Sequence, residues 1–344
     1  MKQHILATLL ITILLASSAA MAEPIKISFA PWFGHNYGET EYILDLSGWL
    51  PDENGDMILD QFGNPLIARI KSQLEFPLDI AMAGLTARLD PGSDSDFWWF
   101  EAGIYTNLND PGGIMTDGDW QGISGILPFT KYSYTESEAQ GSAFRFDIEG
   151  GIRVYKPGKM NVYAVVGFRY QKIKQDIIGF DGWFIPFDDA TLTFDDQVFT
   201  QSGIGIVGKY EVTYKQPQIG LLSSMNLTPN LRASLKTVYT PVWFDDFDDH
   251  LLRFKTSIAD GTGDGFIGSL RAHYEFAEVG GPARPFLDFN LDYVSISSSG
   301  SQTQTWYGDD PASDYDDTGV SVDGIPHEVN STQYNVGVRL GLTF

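Results

Sequence analysis

The chain has 344 residues, no cysteine, and 45 acidic against 22 basic residues, a formal charge of −23. That balance excludes nucleic acid as a partner and suits a surface that attracts cationic substrates. The missing cysteine excludes disulfides and thiolate chemistry.

The first element is a targeting segment. Lys2, an apolar run from Ile5 to Leu15, and Ala20-Met21-Ala22 before Glu23 have the three parts of a signal peptide. The run is shorter than the ~20 apolar residues that span a bilayer as a helix. Residues 1–22 are therefore expected to be removed, leaving 23–344 as one domain. No later stretch approaches a spanning helix, so the remainder is either an exported soluble protein or a β-barrel. Its 14% aromatic content and 36 glycines suit a barrel or a sandwich.

Strand periodicity separates these two. Phe144, Phe146, Ile148, Ile152 and Val154 alternate with Arg145, Asp147, Glu149 and Arg153. Leu287, Phe289, Leu291 and Tyr293 alternate with Asp288, Asn290 and Asp292. The chain closes on Tyr334, Val336, Val338, Leu340, Leu342 and Phe344 against Asn335, Gly337, Arg339, Gly341 and Thr343. Charges in mid-strand are costly in a sandwich core, whereas a barrel lumen can solvate or pair them.

The connections fall into two kinds. Short ones rich in Gly, Pro, Asn or Asp are expected at Asp90–Asp96, Lys156–Lys159, Asn226–Asn230 and Val279–Pro285. Long ones are expected near 50–64, 109–141, 175–207, 243–252 and 297–331. The two kinds alternate, which puts the short turns on one side and the long loops on the other. The reading is an all-β, ten-stranded antiparallel transmembrane β-barrel, with long extracellular loops and short periplasmic turns.

Two loops carry the groups best suited to chemistry. Asp117 and Asp119 lie in the loop 109–141, after Pro111-Gly112-Gly113, and Asp248 and His250 lie at or near the loop after the seventh strand. In extended backbone i and i+2 share a face, so each pair presents two groups to one space. A carboxylate pair and a carboxylate-oriented imidazole can together hold and deprotonate a water. A solvated turn at Asp117-Gly118-Asp119 and an acidic loop tip or calcium run at 245–249 are the plain alternatives. His35, His273 and His327 have weaker settings. No G-x-S-x-G, H-E-x-x-H or His-x-Ser pattern occurs, so serine and zinc hydrolysis are unsupported and no metal is expected.

Gly112-Gly113-Ile114-Met115-Thr116-Asp117-Gly118-Asp119-Trp120, Asp246-Phe247-Asp248-Asp249-His250 and Ser72-Gln73-Leu74-Glu75 together resemble stretches of the omptin family of outer-membrane proteases. The resemblance implies a bacterial outer-membrane endopeptidase whose site faces outward, with no metal and no acyl-enzyme. Asp248 and His250 would activate a water, and Asp117 and Asp119 would hold it and stabilise the developing oxyanion. Cleavage at basic residues is implied, with Asp246 and Glu39 as acidic substrate-binding residues. Lipopolysaccharide is implied as an activating lipid at Tyr170 and Lys174, although Lys172 stands where the family has an acid. The rival readings are a non-enzymatic barrel serving as an adhesin or structural protein, and a diffusion porin. Ten strands leave too narrow a lumen for the porin.

Overall fold

The computed structural model describes residues 25–51, 56–91, 97–109, 112–188, 191–278, 283–311, 313 and 315–344. The predicted signal peptide lies outside the described residues, as do most of the turn expected at 90–96 and part of that at 279–285.

Fourteen strands follow in order: β1 (Ile25–Trp49), β2 (Ile67–Pro77), β3 (Ile80–Pro91), β4 (Trp98–Asn107), β5 (Ile114–Ile123), β6 (Leu127–Tyr155), β7 (Met160–Phe184), β8 (Phe187–Asp188), β9 (Thr193–Phe194), β10 (Phe199–Asn226), β11 (Leu231–His250), β12 (Lys255–Glu275), β13 (Arg284–Trp306) and β14 (Ser321–Thr343). All pair antiparallel. β8 and β9 form a small separate hairpin, and the other twelve form one sheet closed by pairing of β14 with β1.

Two pairs of segments act as single staves. β3 pairs with the first half of β1 and β2 with the second half, so β2 and β3 are one stave broken at Leu78 and Asp79. β4 and β5 pair with successive parts of β6 in the same way. The twelve segments therefore run as ten barrel strands. Gly38 makes the first break possible. Its φ is +128°, its carbonyl accepts the Leu78 N–H at 2.8 Å, and a Cβ there would lie 1.9 Å from the Thr332 carbonyl oxygen.

Alternation sorts the side chains as the sequence pattern requires. Leu85, Ile219, Leu221, Leu270, Phe289 and Leu340 are exposed on the outer face. Arg145, Arg169, Asp288, Asn290 and Asn335 are buried in the lumen. The lumen charges are paired. Glu101 receives Arg339, Arg271 (2.9 Å) and Arg88 (3.3 Å). Asp147 receives Arg169 (2.8 Å) and Arg145 (3.2 Å), and Asp288 receives Arg271 (2.5 Å) and His273 (2.6 Å).

The long loops are shorter than expected. Most of 109–141, 175–207 and 297–331, and all of 243–250, continue as paired strand. The connections among the described residues are instead 124–126, 185–198, 251–254 and 307–320, with the first long one at 50–66. The extensions through 135–138 and 297–305 lack an apolar stripe, so neither periodicity nor hydropathy marks them as strand. Neighbouring strands satisfy their backbone groups all the same.

Glu101→Gln is expected to lower stability by about 3 kcal/mol, because three arginines then lose a buried charge partner. Guanidinium unfolding of refolded protein in micelles would measure it.

Candidate active site

Asp117 and Asp119 lie on a strand, in the middle of β5, and not in a loop. Asp117 stands opposite Leu74 and Thr135, and Asp119 opposite Ser72 and Ser133. Both face the lumen side with buried Met115. Gly118 and Trp120 face outward, where the indole lies between the ammonium groups of Lys71 (5.0 Å) and Lys131 (4.4 Å). A Cβ at Gly118 would meet that ring at 2.9 Å, which accounts for glycine between the two acids.

The register slips by one residue between Asp119 and Trp120, leaving Tyr132 of β6 as the extra residue. Such a bulge re-aims a side chain. Here the Tyr132 phenol titrates late, at about 12, because it is buried and because Asp119 and Asp117 are near.

Asp248 and His250 end β11, opposite Ser257 and Lys255 of β12. His250 Nε2 lies 2.7 Å from Asp248 Oδ2. The approach is outside the angular range of a hydrogen bond, so this buried carboxylate oxygen has no aligned donor. A single helical turn, Leu251–Arg253, and left-handed Phe254 (φ 48°) return the chain into β12.

The two half-sites share one electrostatic environment. Asp117 is held well above the ordinary carboxylate range by burial, then by the charges of Asp119 and Asp248. Lys255 and Arg253 oppose that rise. Burial also raises Asp119, against hydrogen bonds from Ser72 and Ser133 and the charges of Arg253 and His250. One Asp117 oxygen is buried without a partner. Asp248 and His250 on one wall thus act on the aspartate pair of the other across the barrel mouth. Tyr132, Ser72, Ser133 and Lys255 carry no motif of their own in the sequence. Only register reveals them.

The expected acidic substrate pocket is not formed. Glu39 is exposed on the outer face of β1, because Thr40 and Tyr42 occupy the inward positions. Asp246 does face inward, but its side chain is 1% exposed and pairs with His327 Nε2 at 2.8 Å. The His327 ring packs on Tyr42 at 4.3 Å. Burial raises the Asp246 carboxyl, and His327 holds it back. A cation from solvent would have to displace that histidine, which the sequence placed in a loop and the structure places on β14. Tyr170 and Lys174 sit on the outer face of β7. Lys174 and Lys172 both pair with Glu211, the former at 2.7 Å. Among the described residues no cluster of three or more His, Cys, Asp or Glu has metal-binding geometry.

Comparison with known proteins decides the family. The Omptin family matches residues 70–323. The chain belongs to the Omptin family. In fold it is similar to the crystal structure of the outer membrane protease OmpT from Escherichia coli, with a TM-score of 0.63 at 16% identity, covering 93% of this chain and 97% of that one. The outer membrane protein OprG from Pseudomonas aeruginosa aligns over 94% and 97% at 11% identity, but with a TM-score of only 0.25. A comparison with curated protein sequences returned no match.

The raised Asp117 makes a stability prediction. Its folded-state carboxyl binds a proton more tightly than the unfolded one, so the stability it contributes is present at low pH. That stability is lost as pH rises through the folded value. Asp117→Asn removes the cost of the buried charge. The variant should unfold at higher guanidinium concentration than the parent at pH 8, with the gap closing as pH falls towards the ordinary carboxyl range.

Proposed function

We propose that this omptin-family barrel is an outer-membrane endopeptidase that uses a water activated between Asp248–His250 and Asp117–Asp119. The observation that carries this reading is the convergence of the two half-sites at one end of the barrel, where the charges of Asp248 and His250 reach Asp117 and Asp119.

With Nε2 of His250 turned to Asp248, Nδ1 is the ring nitrogen free to accept a proton from water. The adjacent carboxylate stabilises the imidazolium that forms. The hydroxide attacks the peptide carbonyl, and the imidazolium then returns the proton to the leaving amine. Asp117, the more proton-retentive acid, can donate a hydrogen bond to the developing oxyanion while Asp119 holds the water. No metal and no covalent intermediate are required.

The substrates proposed are exposed polypeptide chains. Cationic ones are favoured by the long-range field of a chain carrying −23, not by a buried acid beside the scissile bond. The site would face the cell exterior, since the polar ends of the strands and the longer connections lie at that end of the barrel. The lipid partner is lipopolysaccharide, whose phosphates would meet Lys174 and Lys172 beside Tyr170.

A quenched peptide with an internal Arg-Arg pair, cleaved by refolded protein with rough lipopolysaccharide, tests the reading. His250→Ala and Asp117→Ala should each lose about 100-fold or more in kcat, and chelators and serine reagents should have no effect. A folded parent that cleaves nothing would point to a non-enzymatic barrel. Lys174→Glu should raise the lipopolysaccharide concentration needed for half-maximal rate, with little change at saturation.

A further inference from the structure

Lys255 is the one buried lysine among the described residues, and the mechanism above does not use it. It is the first residue of β12, directly across the hairpin from His250, and next to Trp306 of β13 in the sheet. It belongs to the inward set Lys255, Ser257, Ala259, and is 7% exposed. Its ammonium lies 5.7 Å from the Trp306 ring centre. A lysine is rarely buried without an electrostatic partner, and here the surrounding acids come from three separate elements.

Those acids are Asp248 on β11, Asp119 on β5 and Asp310 in the 307–320 connection. The same ammonium is the foremost charge opposing the rise of Asp117. Facing it also are His250 and the guanidinium of Arg253, the latter bound to Asp310 at 2.9 Å. Two carboxylate oxygens in this space, Oδ1 of Asp117 and Oδ2 of Asp248, are buried without an aligned donor. Unmet carboxylate oxygens remain ionised only beside a cation.

We propose that Lys255 is a positioning residue for the hydrolytic site, the buried cation that keeps Asp119 ionised to hold and orient the water and limits how tightly Asp117 retains its proton. Its ammonium is acted on by acids of both walls, Asp248 on β11 and Asp119 on β5. Burial and the neighbouring Arg253 also lower Lys255 itself, to about 8. Its charge is therefore present at neutral pH and declines above that value. The inference rests on the proposed hydrolytic site, but its electrostatic content can be read without activity.

Two readouts separate the cases, each on refolded parent, Lys255→Met and Lys255→Arg. The first is the infrared titration of protonated carboxyl groups, assigned by its loss in Asp117→Asn. In Lys255→Met the assigned band should persist to a pH about one unit higher than in the parent. Lys255→Arg should titrate at or below the parent. The second is the pH profile of peptide cleavage. The acidic limb should move up in Lys255→Met, with kcat reduced about tenfold at a fixed pH on that limb and KM changed less than about threefold. Lys255→Arg should restore the limb.

An unchanged carboxyl titration in folded Lys255→Met overturns the proposal, whether or not the parent cleaves peptides. So does a loss of activity at every pH that arginine does not rescue, since that marks a structural role. A shifted titration in a parent without peptidase activity would sustain the role of Lys255 and refute the protease instead.

Discussion

Antiparallel hydrogen bonding between β1 and β14 closes the sheet, and the rest of the structure follows from that closure. A closed sheet has no edge to protect, so its strands can run far beyond the length that an apolar belt demands. β6 has 29 residues and β10 has 28, where a membrane crossing takes about 9–11. The surplus is built at one end. It turns what would have been loops into ordered walls, and Asp117, Asp119, Asp248 and His250 stand on those walls. A constellation fixed by strand register keeps its geometry better than one carried on loops.

Closure also makes every inward charge a buried charge, and the two ends of the lumen answer this differently. Towards the short turns, acids and arginines are matched in close networks such as Glu101 with Arg88, Arg271 and Arg339. At the mouth the acids are under-compensated. Asp117 and Asp119 share a small space, tempered by serine hydroxyls and by the charges of Lys255, Arg253 and His250. Asp246 shows the contrast within a single strand. It is two residues from Asp248 on the same face, yet it is fully engaged by His327, whereas Asp248 keeps an unmet oxygen. Unspent electrostatic capacity is what the proposed hydrolytic water requires, and Asp248 and Asp117 each keep an unmet buried oxygen.

Much of this was legible in the sequence. The alternation through 144–154, 287–293 and 334–344 gives the correct faces, and the spacing of turns gives ten barrel strands. What was not legible has definite physical causes. The strand extensions through 135–138 and 297–305 are polar on both faces, so nothing in their pattern distinguishes them from loop. The placement of Glu39 is a different case. Trp32, Asn36, Thr40 and Tyr42 form the inward set of β1 at even positions, and strict counting by two places Glu39 outside. Contacts such as Asp246 with His327 and Asp117 with Lys255 join residues far apart in the chain, and only the three-dimensional register brings them together.

Attraction and recognition also come apart in this molecule. A desolvated arginine or lysine side chain needs a carboxylate free to pair with it, since burying a cation without one is costly. Asp246 is already paired, and Glu39 is on the wrong face. The net charge of −23 would act differently on the proposed cationic substrates, because a long-range field raises the local concentration of cationic chains without requiring any of them to be buried. It follows that salt should weaken capture of cationic chains by screening the field. The identity of the side chain beside the cleaved bond should matter less, because tight selection would need the buried acid that His327 has taken.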